Sequence, residues 1–211
     1  MSQPSVPFCR ALTLLACAFT LCTAAEELVF SDDFSKPDFD KKWVSGATCE
    51  DNTIKVVDGR VQATLNCNFI QTKEEFSGDL RVEVDVEKVG GQFHGCWDFF
   101  VELTGANGAA GVIRFDYNMI DGIAAGEAPE TCGDQIHRPA SAPNKGRAIL
   151  HYSAPYLHFT FINADGKVLS TASTFTGGFE KSAVRIWLAA QKETPRYVDN
   201  VKVYRVTQGK K

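Results

Sequence analysis

No stretch of this chain carries a sustained 3.6-residue apolar period, so nothing in it predicts a long amphipathic helix. No internal repeat is visible, which sets aside solenoids and propellers. Basic residues are not in excess: there are 22 Lys and Arg against 26 Asp and Glu. A mildly acidic chain lacks the electrostatic footprint expected of a nucleic-acid or anionic-membrane binder. There is no C-x-x-C, and the four histidines (His94, His137, His151, His158) are scattered, which argues against a zinc cage. No Ser/His/Asp spacing links them, so a nucleophile triad has no support in the sequence. After residue 25 no apolar run is long enough to span a bilayer.

The one long apolar run comes first. Arg10 precedes Ala11–Cys22, and Thr23-Ala24-Ala25 supplies small residues before Glu26. That layout reads as a secretory signal over residues 1–25. Leu14-Leu15-Ala16-Cys17 also spells a loose lipobox, with lipidation at Cys17 as the lesser alternative. The expected mature domain runs over 26–208, with a basic tail at 209–211. Since Arg10 is the only charge before Glu26, that part carries 22 − 1 − 26 = −5. Its expected location is secreted or periplasmic. Four cysteines remain there: Cys49, Cys67, Cys96 and Cys132. An even number in an exported chain implies two disulfides with three possible connectivities. Cys49–Cys67 is preferred, because the two flank a hairpin and can meet across its open end; Cys96–Cys132 is then the second.

What is abundant is strand pattern. Leu80–Glu87 alternates strictly, with Leu80, Val82, Val84 and Val86 on one face and Arg81, Glu83, Asp85 and Glu87 on the other. Leu28–Phe34, Phe69–Thr72, Trp97–Leu103, Val112–Tyr117, Ile120–Ala125, Arg147–Tyr152, Tyr156–Asn163, Val168–Phe175, Val184–Gln191 and Tyr197–Val206 read as further strands. Asp58-Gly59 predicts a two-residue hairpin turn between Ile54–Val57 and Arg60–Leu65, and Asn163-Ala164-Asp165-Gly166 predicts another. Lys36–Trp43 reads as a connection and Thr104–Gly111 as a turn. Gly126–Gly146 carries three prolines and few aliphatics, so it reads as a long loop, and loops of that length are often functional. About a dozen short strands predict an all-β fold of two antiparallel sheets.

Several segments carry a resemblance. Phe30-Ser31-Asp32-Asp33-Phe34, Val56-Val57-Asp58-Gly59-Arg60-Val61, Ile70-Gln71-Thr72-Lys73 and Tyr197-Val198-Asp199-Asn200-Val201-Lys202-Val203-Tyr204 resemble the concanavalin A-like lectin/glucanase superfamily. More narrowly, they are similar to secreted bacterial laminin-G-like or 3-keto-disaccharide-hydrolase-like domains. The resemblance implies a jelly roll of two curved sheets whose concave face often binds sugar. It also implies a structural calcium on the convex side, held by Asp199 with carbonyls from the Asp58-Gly59 turn and from near the first strand.

Glu83, Asp85 and Glu87 fit the E-x-D-x-E spelling of the laminarinase and lichenase branch. A carboxylate pair could supply nucleophile and acid/base, but strand order puts the motif one strand too early. Low-ranking catalytic candidates are therefore Glu83, Asp85, Glu87, Glu102 and Asp116. The expected ligand floor combines Arg81, Glu83 and Asp85 with Asp98, Phe100, Glu102, Arg114 and Asp116 on the next two strands, overhung by His137 and faced by Trp187. Carboxylates and guanidinium bind sugar hydroxyls and aromatic faces stack on C–H-rich rings. The bland alternative is a salt-bridge ladder on an exposed sheet. The leading expectation is an exported carbohydrate-binding jelly roll, with its ligand on the concave face under the 126–146 loop. Its rivals are a sugar hydrolase or lyase and a protein-interaction module.

Overall fold

The computed structural model describes residues 25–48, 51–65, 67–89, 99–105, 108–115, 120–124, 145–175, 180–188, 190 and 194–207. Among these residues, fourteen strands and one short helix run in the order β1 (Ala25–Asp32), α1 (Phe39–Lys42), β2 (Trp43–Ala47), β3 (Lys55–Val57), β4 (Arg60–Ala63), β5 (Asn68–Thr72), β6 (Asp79–Lys88), β7 (Phe99–Gly105), β8 (Gly108–Phe115), β9 (Ile120–Ala124), β10 (Lys145–Ser153), β11 (Tyr156–Asn163), β12 (Val168–Phe175), β13 (Ser182–Leu188) and β14 (Arg196–Thr207). They form an eight-stranded sheet, β12-β11-β10-β6-β14-β4-β3 with β1 also on β14, and a six-stranded sheet, β2-β5-β13-β7-β8-β9. The strand pairs are antiparallel.

The core lies between the sheets. Leu80, Val82, Val84 and Val86 of β6 are buried, as are Leu150, Phe159 and Val203 of the same sheet and Val101, Leu103, Val184 and Ile186 of the other. Fully burying each such side chain is worth about 1.5–3 kcal/mol. One end is sealed by rings: Phe30 meets Trp43 and Phe76 edge-on at centroid distances of 5.5 and 5.8 Å. The buried Asp32 carboxylate accepts from the Trp43 indole N–H at 2.8 Å and the Phe34 amide at 3.0 Å, with the Lys42 ammonium 3.3 Å away. The FSDDF segment thus ends β1 by turning its own acid inward onto Trp43.

Both expected hairpins form. Asp58 and Gly59 have φ of 50° and 71°, the two positive values a type I′ turn needs. Asn163 Oδ1 accepts from the amides of Asp165 and Lys167 at 3.1 and 2.9 Å. Two expectations fail. The end of the Lys36–Trp43 connection is a helical turn leading into β2, an edge strand. The Thr104–Gly111 turn is shorter, because β7 and β8 stay paired as far as Gly105 and Gly108.

Candidate functional site

The sheets present two outward faces of different chemistry. On the eight-stranded sheet, the acids of β6 meet cations from neighbouring strands. Arg147 of β10 binds Asp85 through Nε and Nη2 at 2.6 and 3.1 Å and lies 3.7 Å from Glu83. Arg60 of β4 binds Glu87 at 2.9 Å, with Lys145 3.7 Å from the same oxygen. Arg81 joins Glu83 and Glu26, the latter at 2.6 Å, while its guanidinium lies 3.8 Å from the Tyr204 ring centroid. The Arg60 guanidinium lies likewise 4.3 Å from the Tyr197 centroid.

The floor expected over Leu80–Tyr117 is therefore not continuous. β6 belongs to the eight-stranded sheet, whereas β7 and β8 belong to the six-stranded one. The outward faces of the two sheets lie on opposite sides of the sandwich. Arg81, Glu83 and Asp85 cannot share a surface with Glu102. Asp98, Asp116 and His137 lie outside the described residues, and so does the 126–146 loop apart from Lys145 and Gly146. Phe100 and Arg114 are placed by register, Phe100 opposite both Trp187 and Arg114.

The outward face of the six-stranded sheet holds a compact group that the sequence only half revealed. Glu102 and Trp187 are joined by Phe69 and Gln71 of β5 and Arg185 of β13. Register puts Phe69 beside Trp187, Gln71 beside Arg185, and Arg185 beside Glu102. The Trp187 indole N–H donates to Glu102 Oε2 at 2.7 Å. The Arg185 guanidinium donates through Nε to Gln71 Oε1 at 2.8 Å and lies 3.7 Å from Glu102 Oε2. It also sits 5.1 and 5.5 Å from the Phe69 and Trp187 ring centroids, which are 4.8 Å apart. Glu102 is only 5% exposed, so its charge is met by a guanidinium and an indole rather than by bulk water. Gly46 of β2 lies under the Phe69 ring: a Cβ there would stand 2.6 Å from Cζ. The period of two was the available signal, since Arg185 shares a parity with Trp187, and Phe69 and Gln71 flank the inward Ile70.

Among the described side chains of this face Glu102 is the only carboxylate. A glycoside hydrolase needs two carboxyl groups about 5–9.5 Å apart, and the described residues offer no such pair here.

Asp199 sits at a bulge in β14, where the register shifts between Asp199 and Lys202. Asn200 takes φ 47° there, a left-handed conformation that Asn tolerates better than most residues. Its amide donates to Asp199 Oδ1 at 2.7 Å and its side chain to Asp85 Oδ2 at 3.1 Å. Asp199 lies directly across from Asp85. Burial, then the charges of Asp85 and Asp33, push its carboxyl above the ordinary range against the pull of the Asn200 amide and Arg60. It lines a cleft of about 40 Å³ with Arg60, Glu87, Lys145, Tyr197 and Asn200, a volume fit for one ion or water. A Cβ on Gly59 would stand 3.9 Å from the Asp33 carbonyl oxygen, so this turn packs beside the end of β1. No three His, Cys, Asp or Glu side chains gather around a metal position among the described residues. A cation here would rest on Asp199 and backbone carbonyls, a donor set of hard oxygens that fits calcium.

Cys67 is disulfide-bonded, and its carbonyl accepts from the Thr48 amide at 3.1 Å. Cys49, Cys96 and Cys132 lie outside the described residues. No helix among the described residues is long and apolar enough to cross a membrane.

No family model and no curated protein matches the sequence. Solved structures do match. The CBM2 module of an evolved Dit protein from Lactobacillus casei BL23 phage J-1 aligns with a TM-score of 0.63 at 10% identity, over 89% of this chain and 99% of that one. A legume lectin-like domain from Entamoeba histolytica gives 0.57 at 13%, over 83% and 96%. The exoplasmic/lumenal domain of VIP36, solved in a Ca2+/Man3GlcNAc-bound form, gives 0.59 at 12%, over 86% and 90%. At such identities the likeness speaks to architecture alone. The chain has the concanavalin A-like jelly-roll fold, the two-sheet antiparallel sandwich of the legume lectins.

Proposed function

We propose that this protein is an exported carbohydrate-binding domain whose ligand lies on the outward face of the six-stranded sheet, around Trp187. The observation that carries this reading is the anchoring of Trp187: its indole N–H is held by Glu102 while Phe69 and Arg185 brace its ring. A rigid, partly exposed ring offers a flat apolar surface to the C–H face of a pyranose, and the guanidinium, carboxylate and amide beside it can exchange hydrogen bonds with hydroxyls. Several neighbours of the same fold are named as lectins, and VIP36 was solved with a mannose-containing glycan. Export rests on the signal-like residues 1–25, and calcium on Asp199 with the Asp33 and Gly59 carbonyls is the proposed structural cofactor. The proposed partner of Cys67 is Cys49, which follows Thr48 in sequence, and the Thr48 amide bonds the Cys67 carbonyl.

The test is a glycan panel presented to residues 26–208, scored for both retention and release of reducing ends. Retention without release supports a binding domain. Release that disappears in Glu102→Gln, or in Glu83→Gln, would replace it with a hydrolase. No retention of any glycan would sink both sugar readings.

A further inference from the structure

We propose that the outward face of the eight-stranded sheet bears a second site: a pair of imidazoles, His151 and His158, that binds a borderline divalent transition metal such as Zn2+. The two residues lie directly opposite each other on β10 and β11, and both are exposed. Facing residues on one side of an antiparallel pair have Cβ atoms about 4.5–5.5 Å apart. Two ring nitrogens sharing a tetrahedral zinc lie about 3.4 Å apart, given metal–nitrogen bonds of about 2.0–2.1 Å. Imidazoles leaning together from these positions reach that separation without movement of the backbone.

The surroundings prepare the rings for this use. His158 Nδ1 is 2.7 Å from Ser173 Oγ, on the directly opposed position of β12. In the tautomer whose Nδ1–H donates to this hydroxyl, Nε2 keeps its lone pair for a metal. On the other side of His151 stands Arg81, whose charge is outnumbered by the carboxylates of Glu26 and Glu83 bound to it. The described residues offer no cluster of three ligands. The pair therefore supplies two, and water fills the open positions. That makes the site exchangeable rather than structural, and different in kind from the oxygen ligands at Asp199.

Isothermal titration of tag-free, chelator-stripped protein (residues 26–208) with ZnCl2 at pH 7.5 tests this. One equivalent should bind with a dissociation constant in the micromolar range. His151→Ala and His158→Ala should each weaken it at least tenfold, and Ser173→Ala several-fold. His94→Ala and His137→Ala should leave it unchanged. In long-range ¹H–¹⁵N spectra of the imidazoles, Nε2 of His158 should shift on zinc addition. Both histidines are exposed, so the variants are expected to fold, and circular dichroism checks that they do. Binding that survives either the His151 or the His158 substitution, or a dissociation constant weaker than 1 mM, overturns the proposal.

Discussion

The two outward faces start from the same sequence device and end in different chemistry. Both come from strands that alternate apolar with polar residues, so each buries one side and presents the other. On the eight-stranded sheet the presented residues are mostly charged, and Glu83, Asp85 and Glu87 of β6 each meet a cation from another strand. The charges are consumed within the sheet. On the six-stranded sheet there is one described carboxylate, and it serves to hold an indole. Partly exposed ion pairs contribute about 0–1 kcal/mol each and leave little unsatisfied for a ligand. A ring fixed by a buried acid keeps its apolar surface free for a partner. An acidic stripe is thus the weaker sign of a binding face, and an aromatic with a polar clamp the stronger one.

Trp187→Ala should break the contrast most. If the ring is the anchor, its removal should cost about 2 kcal/mol of binding, about 30-fold in affinity, as for buried aromatic hot spots. Arg147→Ala on the opposite face should leave glycan affinity unchanged. Glycan titrations of the two variants side by side decide the matter. Equal losses, or loss only in the Arg147 variant, would move the site to the other sheet.

Much of this was legible in the sequence. Strict alternation marked β6, and Asp58-Gly59 and Asn163–Gly166 marked their turns, because these signals are local. β2 was hidden: Trp43-Val44-Ser45-Gly46-Ala47 is short, weakly apolar and at an edge. The division of Leu80–Tyr117 between two sheets was not legible either. A period of two says which residues share a face of one strand, but not which sheet that strand joins. That choice is made by pairings far apart in the chain, β6 with β10 and β14, β7 with β13. For the same reason Glu102 and Trp187 could be named singly, while Arg185, Gln71 and Phe69 came into view only once β5, β13 and β7 stood side by side.

Gly46→Ala sharpens the comparison without touching a polar group. The new Cβ would overlap the Phe69 ring at 2.6 Å, and the ring must swing toward Trp187 or outward. Overpacking of this kind costs about 1–3 kcal/mol in a tight core; at a half-exposed ring the low end applies. The expected result is about 1 kcal/mol of lost stability and a several-fold loss of glycan affinity. Unchanged affinity in a chemical-denaturation-matched sample would show that Phe69 does not position the site.

Asp199 tests whether the charged face has one member that is not satisfied by its neighbours. A carboxyl raised by burial and by Asp85 and Asp33 is more easily protonated folded than unfolded. Its contribution is present below the unfolded value near 3.8 and is lost as pH rises through the folded one. In chelator, Asp199→Asn should therefore be more stable than the parent at pH 7, the difference closing toward pH 3. Calcium should raise the parent's melting temperature by several degrees when present at about 100 times its dissociation constant, worth about 2.7 kcal/mol, and should leave the variant unmoved. Melting curves at both pH values, with chelator and with calcium, read all three. A variant no more stable than the parent at pH 7 in chelator would mean that the neighbouring cation Arg60 already neutralises the site.

Lys145→Ala should do least, and for that reason it is the sharpest check on the ladder. Lys145 is exposed and lies 3.7 Å from a Glu87 oxygen that Arg60 already binds at 2.9 Å. Its ammonium adds a second, longer and better-screened partner to an acid that needs only one. The expected change in unfolding free energy is within about 0.5 kcal/mol, with glycan affinity unaltered and the small stability effect shrinking further at 0.5 M salt. Denaturant titration at low and high ionic strength measures it. A loss above about 1.5 kcal/mol would show that the ladder acts as a coupled network, and that the face read here as satisfied surface holds its charges in a shared arrangement that one lysine can undo.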